Sequence, residues 1–360
     1  MKFSIVISTY NRLNLLQRAI DSARNQTIEC EVVVADDCSS DDTQTYLKSL
    51  GDKACLERSR KVVYHRNEVN QGHAATVNAG VAKASGDWIK FLDDDDYLAP
   101  NCIEEMAKAI ALRPEAVICS CVAAQVDGNE VELSRTPQVG PGLAFYIPQA
   151  DIHYGMLLEL VPFGTPVQVA CRRDAFLQSG GWDSTLDANC DDIDSWIRIA
   201  QFGDAIFFNQ CLAYRTIWPG AYNQKFSLPR RLATNILMKE KIYALVNEQH
   251  RSQIPVFQDI KNYLKLHWIL VALKQKNVKS FLSMIDPSIL SPRSWKFLLT
   301  AISSRRSQGN NSQVRKLVLI EFYYDVWQNS QNKSASLQNL ELDSVALVDL
   351  PMSAQSNSER

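Results

Sequence analysis

Apolar residues alternate between two patterns through the first 126 positions: short unbroken runs, then runs at helical spacing. The segment KFSIVIS is compact and apolar on both faces, which suits a strand buried from both sides. In RLNLLQRAIDSARNQ, Leu13, Leu16, Ile20 and Ala23 recur every three or four positions and predict a helix. ECEVVVA is a second strand, ending in the acidic turn DDCSSDD, and a helix over about 42–50 follows, capped by an Asp of that turn. KVVYHR, WIKFL and AVICSCVAAQV read as further strands. Between them, GHAATVNAGVAKA reads as a helix stopped at Ser85-Gly86, and PNCIEEMAKAIAL as a helix with Pro100 near its start. Strands separated by helices predict the α/β class, with a mostly parallel sheet and helices on both faces. Ligands of such sheets sit beyond the carboxyl ends of the strands, and Tyr10-Asn11, Asp36-Asp37 and Asp93 to Asp96 all fall there.

From 128 to 165 the pattern breaks into Gly- and Pro-containing loop. It resumes with TPVQVACRR, a helix ending at Gly180-Gly181, the helix DDIDSWIRIAQF, and IFFNQCLAYRTI as a strand or strand pair. Beyond Trp218-Pro219-Gly220 the chain turns helical and basic, and its last thirty residues are rich in Ser, Asn and Gln. The expected organisation is a catalytic domain over 1–222, a basic helical region over 223–330 and a disordered tail over 331–360.

Composition narrows the class. A chain of 360 residues with 46% hydrophobic residues is neither disordered nor fibrous. Nine Cys, odd in number and scattered, give no disulfide framework and no zinc spacing. No apolar run reaches the roughly 18 residues of a membrane span, and the N-terminus lacks a basic-then-apolar signal. A reduced, cytoplasmic protein is expected. The formal net charge of −2 hides an asymmetry: 19 Lys+Arg against 30 Asp+Glu over 1–222, but 17 against 6 over 223–330. Either the two regions dock on each other, or the basic one faces an anionic membrane surface as a peripheral contact.

FLDDDD is the most informative string. Consecutive carboxylates repel one another, and a divalent cation with a taste for oxygen, Mg²⁺ or Mn²⁺, would relieve that. Alternation along the chain would send Asp93 and Asp95 to one side. A solvated acidic turn, with one Asp capping the helix after Pro100, explains the string equally well.

Four strings in order decide between these: VISTYNR, VVVADDCSSDDT, FLDDDD, and GGWDSTL followed by DDIDSWIRIA. Together they make residues 3 to about 217 closely resemble the second family of glycosyltransferases. The resemblance implies a GT-A, Rossmann-like fold and an inverting transfer of a sugar from a nucleotide-diphosphate donor, UDP-linked, to an acceptor hydroxyl. The acceptor would be a saccharide, a lipid-linked glycan or a protein, in the synthesis of cell-surface polysaccharide, glycolipid or glycan, and the transfer hexosyl or N-acetylhexosaminyl. Carried over by position, Ser8 and Tyr10 would line the nucleotide pocket and Asp37 hold the uracil base, with Asp36 in support. Asp93 and Asp95 match the outer residues of the Asp-x-Asp signature, Asp95 as the main ligand of Mg²⁺ or Mn²⁺, and Asp93 or Asp94 would meet the ribose. Gly181, Trp182 and Asp183 match a loop approaching donor and acceptor. Asp192 falls on the general base, with Asp191 its neighbour.

The chain departs from the pattern in two places. NQGHAATVNAG lacks an Arg that relatives often carry there, and the segment after the last strand offers Trp218 where many have His; Arg66 or Lys225 are then the expected cations for the leaving group. Two other readings compete: a nucleotidyltransferase, which would want a Gly-rich basic loop that VISTYNRLN lacks, and a non-catalytic nucleotide-sugar-binding scaffold. Aromatics of the basic region fit helical core spacing, so no nucleic-acid partner is expected.

Overall fold

The computed structural model of the chain describes residues 1–54, 62–136, 138, 143–186, 190–218, 226–287 and 291–307. Its strands are β1 (Phe3–Thr9), β2 (Glu31–Asp36), β3 (Val62–Arg66), β4 (Trp88–Asp93), β5 (Tyr97–Leu98), β6 (Ala116–Val126), β7 (Glu132–Arg135), β8 (Ala144–Ile147), β9 (Val169–Arg172) and β10 (Asp204–Thr216). They form one sheet in the order β3-β2-β1-β4-β9-β6-β10-β5, with β7 added beside β6 and β8 beside β10. The first four strands in that order are parallel, β9 runs against both its neighbours, and β6 and β10 are parallel again.

Helices cover the sheet: α1 (Leu13–Arg24), α2 (Thr43–Ala54), α3 (His73–Lys83), α4 (Cys102–Leu112), α5 (Gln149–Leu157), α6 (Arg173–Gln178) and α7 (Asp191–Ile199). The C-terminal part is α8 (Leu228–Leu245), α9 (Glu248–Arg251), α10 (Phe257–Lys274), α11 (Val278–Met284) and α12 (Pro292–Ser307). Alternation within β1 divides the core. Ile5 and Ile7 face Leu16 and Ile20 of α1 and Met106 of α4 on one side. Val6 faces the other side, in a cluster that takes in Val77 and Val81 of α3, Trp196 of α7 and Leu232, Ile242 and Leu264 of α8 and α10. The basic helices therefore share a core with the sheet.

Two expectations need correcting. The stretch 128–165 is not simple loop, since it holds β7, β8 and α5. α5 escapes a periodicity search because it is buried nearly all round, from Asp151 through Leu157, and so shows no polar face. The tandem reading of IFFNQCLAYRTI also resolves: β10 is one strand whose register against β6 slips between Phe208 and Cys211 and again before Ala213. The tail over 331–360 and Lys225 lie outside the described residues. The described cysteines are all free, and no described helix is long and apolar enough to cross a membrane.

Candidate active site

The carboxyl ends of β1, β2 and β4 lie side by side, with Ser8 in register with both Ala35 and Asp93. Beyond β1 the chain turns sharply at Asn11, whose φ of 54° is left-handed, and Asn11 Oδ1 accepts the Ser40 N–H at 2.7 Å. This locks the first loop to the second and leaves Tyr10 standing 47% exposed at the sheet edge, above the buried Ser8. Asp41 completes the junction as a double cap, accepting Leu13 N–H of α1 and Thr43 N–H of α2, both at 3.1 Å.

Asp36 and Asp37 are both buried, and both hold the walls of this edge. Asp36 accepts Ser39 N–H at 2.8 Å and the Tyr64 hydroxyl at 2.9 Å, with Arg66 Nε 3.4 Å away. Asp37 accepts Asn67 Nδ2 at 2.9 Å, Gln71 N–H at 2.8 Å and Gly72 N–H at 2.9 Å. The last bond fixes the turn into α3, where Gly72 takes a φ of 88° that a side chain would oppose. Arg66 is thus committed to Asp36 and to the Ser39 carbonyl, to which its Nη2 donates at 2.7 Å.

FLDDDD leaves its strand at Asp93 and closes a tight turn, with Asp96 N–H on the Asp93 carbonyl at 3.1 Å. The turn, and not strand alternation, gathers the carboxylates of Asp93, Asp95 and Asp96, whose ligand oxygens all lie within 4.8 Å of one another. Asp94 goes elsewhere: it is buried, accepts the Thr9 hydroxyl at 2.8 Å and faces Arg12 at 3.2 Å. Asp96 does not cap the following helix, which begins behind Asn101; it accepts Thr216 N–H of β10 at 2.8 Å. Burial, added to the charges of Asp95 and Asp93, pushes the Asp96 carboxyl well above its ordinary range, and burial beside Asp93 raises Asp95 as well. Burial takes Asp94 up to about 7. Asp93 is the exception: despite its burial, the hydrogen bond and charge of His73 hold its carboxyl below the ordinary range. Three crowded oxygen donors, two of which resist ionisation, fit a hard divalent cation, which would supply the missing positive charge.

His73, the first residue of α3, stands next to this cluster. Its Nε2 lies 3.1 Å from Asp93 and its Nδ1 3.4 Å from Asp191 at the start of α7. Although burial alone would lower it, the hydrogen bonds to Asp191 and Asp93 raise the imidazole well above its usual value. The ring also meets the edge of Trp182, with centroids 5.3 Å apart. One imidazole thus joins β4, α7 and the segment after α6. Asp192, the next residue, makes no such link; its Oδ1 accepts Ile193 N–H at 2.7 Å. Burial first, then the charge of Asp191, pushes the Asp192 carboxyl up to about 7.

Residues 4–180 match the model of glycosyl transferase family 2. That segment belongs to the family. An uncharacterized glycosyltransferase of Rickettsia prowazekii is 25% identical over 338 residues, 87% of this chain and 94% of that protein. The GalNAc(5)-diNAcBac-PP-undecaprenol beta-1,3-glucosyltransferase of Campylobacter jejuni is 36% identical over 107 residues, 29% of this chain and 33% of its own. Among solved structures, Staphylococcus aureus TarS 1–349 in complex with UDP-GlcNAc matches with a TM-score of 0.57 at 15% identity, over 92% of each chain. The mannosyltransferase PcManGT of Pyrobaculum calidifontis, in complex with GDP-Man and Mn²⁺, matches with 0.55 at 16% identity, over 94% of this chain and 87% of its own. These likenesses establish a GT-A fold for this glycosyltransferase.

In the glycosyltransferase, the GGWD segment differs from an open loop. Trp182 is 2% exposed, its ring against Phe91 and Trp196, and Asn78 clamps its backbone by accepting Trp182 N–H and donating to its carbonyl, both at 2.8 Å. Gly181 precedes it at a φ of 70°, so close that a Cβ would lie 2.6 Å from Asn78 Oδ1. Asp183 caps the turn beyond, accepting the Thr185 N–H and hydroxyl. Three cations of the site escape the sequence reading. The segment just after the last strand holds no His, but His73, from the N-terminus of α3, stands beside Asp93 at the same sheet edge. Arg12 reaches Asp94 and Asp95, at 3.2 and 3.1 Å, and Arg18 donates to the Asp95 carbonyl at 2.5 Å. The signal for Arg12 was its place just after Tyr10-Asn11, at the mouth of the pocket.

Proposed function

We propose that this glycosyltransferase moves a hexosyl or N-acetylhexosaminyl unit from a UDP-linked donor to an acceptor hydroxyl with inversion, in the synthesis of a glycan or polysaccharide. The observation that carries the reading is the convergence of the Asp93/Asp95/Asp96 cluster and the Asp191-Asp192 start of α7 on either side of His73, which touches Asp93 and Asp191. Displacement at an anomeric carbon needs negative charge managed at the leaving diphosphate and a base on the opposite face. Two groups of carboxylates on different elements meet that need.

Tyr10 offers an exposed aromatic face to a base, and Ser8 lies beneath it. Each oxygen of Asp37 has two acceptor sites, and Oδ2 uses one of them on Gly72, so it can still take the imide N–H of a uracil. Asp36 holds that corner rigid, while Asp93 or Asp94 would meet the ribose. Asp95, with Asp93 and Asp96, would hold Mg²⁺ or Mn²⁺, whose charge offsets that of the departing diphosphate. Arg12 adds a cation at the same place. Asp192, held near neutrality in its affinity for a proton, takes the acceptor's proton as the new bond forms; Asp191 orients the helix start through His73. Gly181, Trp182 and Asp183 form the floor and rim between the two groups.

Support for the donor class comes from the UDP-GlcNAc and GDP-Man complexes of the two structural neighbours, and support for glycan assembly from the named activity of the Campylobacter relative. The test is a thermal-shift panel of nucleotide sugars with and without Mn²⁺, followed by transfer of the labelled sugar from the best binder and determination of the product's anomeric configuration by NMR. A tight donor raises the melting temperature by mass action. If no nucleotide sugar stabilises the protein, or the product retains configuration, the reading fails.

A further inference from the structure

α11 is built with its apolar stripe facing outward. Ser280 and Met284, one turn apart, are its buried face. On the opposite side Val278 is 65% exposed and Leu282 63%, and Ile285, which continues their stripe at helical spacing, is 51% exposed. Leu273, at the end of α10 just before, is 50% exposed. A soluble helix normally turns such a row inward, and scattered single exposures would need no account; a stripe does. Its flanks are basic. Lys274, Lys276 and Lys279 are all exposed, and no carboxylate occurs between Asp259 and Asp286. Lysines around an apolar row, with acids excluded over that whole stretch, complement a surface that is anionic outside and hydrocarbon within.

We propose that the α10–α11 corner is a docking surface for an anionic lipid bilayer, with the Val278-Leu282-Ile285 row entering the headgroup boundary and the three lysines meeting lipid phosphates. A soluble polyanion would use the lysines and leave the stripe without a role. The stripe is what selects a membrane. The surface belongs to the same body as the catalytic site, because Lys241 of α8 binds Asp194 of α7 at 2.5 Å, one turn from Asp191. Docking here would hold the transferase beside an acceptor presented at a lipid surface. The proposal does not depend on which donor is used.

Flotation of the full chain with phosphatidylcholine vesicles, and with vesicles containing a third phosphatidylglycerol, tests it. Binding should require the anionic lipid and weaken as salt rises, since surface attraction is screened within roughly 10 Å at 0.1 M. Each lysine near such a surface is worth about fivefold in partitioning, so the triple Lys274→Gln, Lys276→Gln, Lys279→Gln variant should bind on the order of a hundredfold more weakly. The Val278→Ser, Leu282→Ser variant should also weaken binding, by at least tenfold, with its melting temperature and nucleotide binding unchanged. Equal binding to neutral and anionic vesicles overturns the proposal. So does wild-type binding by the serine variant, which would leave a purely electrostatic contact. If light scattering shows a dimer that the serine variant abolishes and vesicles do not bind, the stripe is a contact between copies of this chain and the proposal is wrong. Nucleotide-sugar binding by the patch variants separates this outcome from any failure of the transferase reading.

Discussion

Replacing Asp192 by Asn keeps the size of the side chain and removes its ability to accept a proton. General-base catalysis typically contributes 10²–10⁴-fold, about 3–5 kcal/mol of barrier, so kcat should fall by that factor while donor affinity holds nearly constant. The site also sets the pH at which the base works. With its carboxyl up at about 7, the wild-type rate should climb tenfold per pH unit through the acid range and level off near neutrality. A cation at Asp93 offsets one of the negative charges that raise Asp192, so Mn²⁺ should move that limb to lower pH. Stability gives an independent reading. A carboxyl raised from 3.8 costs the native state nothing below pH 4; the cost grows as pH rises to 7 and is constant above. Three pK units set a ceiling of about 4 kcal/mol, and partial contact with water reduces it to on the order of 1–2. Asp192→Asn should therefore be more resistant to urea than wild type at pH 8, and equal to it at pH 4. Steady-state transfer assays from pH 5 to 9 with paired urea melts measure both. A variant with wild-type kcat and an unchanged acid limb would show that the base lies elsewhere.

Asp95→Ala should abolish the metal-dependent part of donor binding while leaving the metal-free protein as stable or more so, because one of three crowded carboxylates is gone; full transfer in excess chelator contradicts this. His73→Asn should lower kcat at least tenfold with unchanged far-UV circular dichroism, since the link from Asp93 to Asp191 is cut, and wild-type turnover would rule out that link. Lys241→Met leaves the fully buried Asp194 with Arg198 as its remaining ionic partner, at a cost of about 1–3 kcal/mol in urea denaturation; no change there would mean the α7–α8 pair is energetically idle.

The alternating strands and helices of the first half were legible because each buries one simple stripe or both faces. The acidic residues were legible as a set, because their strands end at one edge. Their individual duties were not. Whether Asp96 caps a helix or joins Asp93 and Asp95 depends on a turn that closes within four residues and on β10 arriving 120 positions later to donate Thr216 N–H. His73 was hidden because its partners are 20 and 118 positions away, and nothing local marks a histidine at a helix start as a bridge. Trp182 read as a loop residue from its Gly-Gly-Trp-Asp string, yet Asn78, far back in α3, pulls its backbone down and buries the ring.

Because α8 and α10 pack in one cluster with α3 and α7, cutting the chain near residue 222 is expected to cost more than the loss of an appendage. Such a cut would strip the covering from Trp196 and Ile197, on the helix that bears Asp192, and leave Asp194 facing water on its Lys241 side. Diversification of these enzymes by exchange of whole C-terminal segments is constrained accordingly. An incoming segment has to bring a cation to the place of Lys241 and an apolar ridge matching Leu232 and Ile242. Change in the C-terminal helices is therefore expected to proceed residue by residue on the outer surfaces of α10 to α12, with the inner surfaces held to the lineage of the sheet they cover.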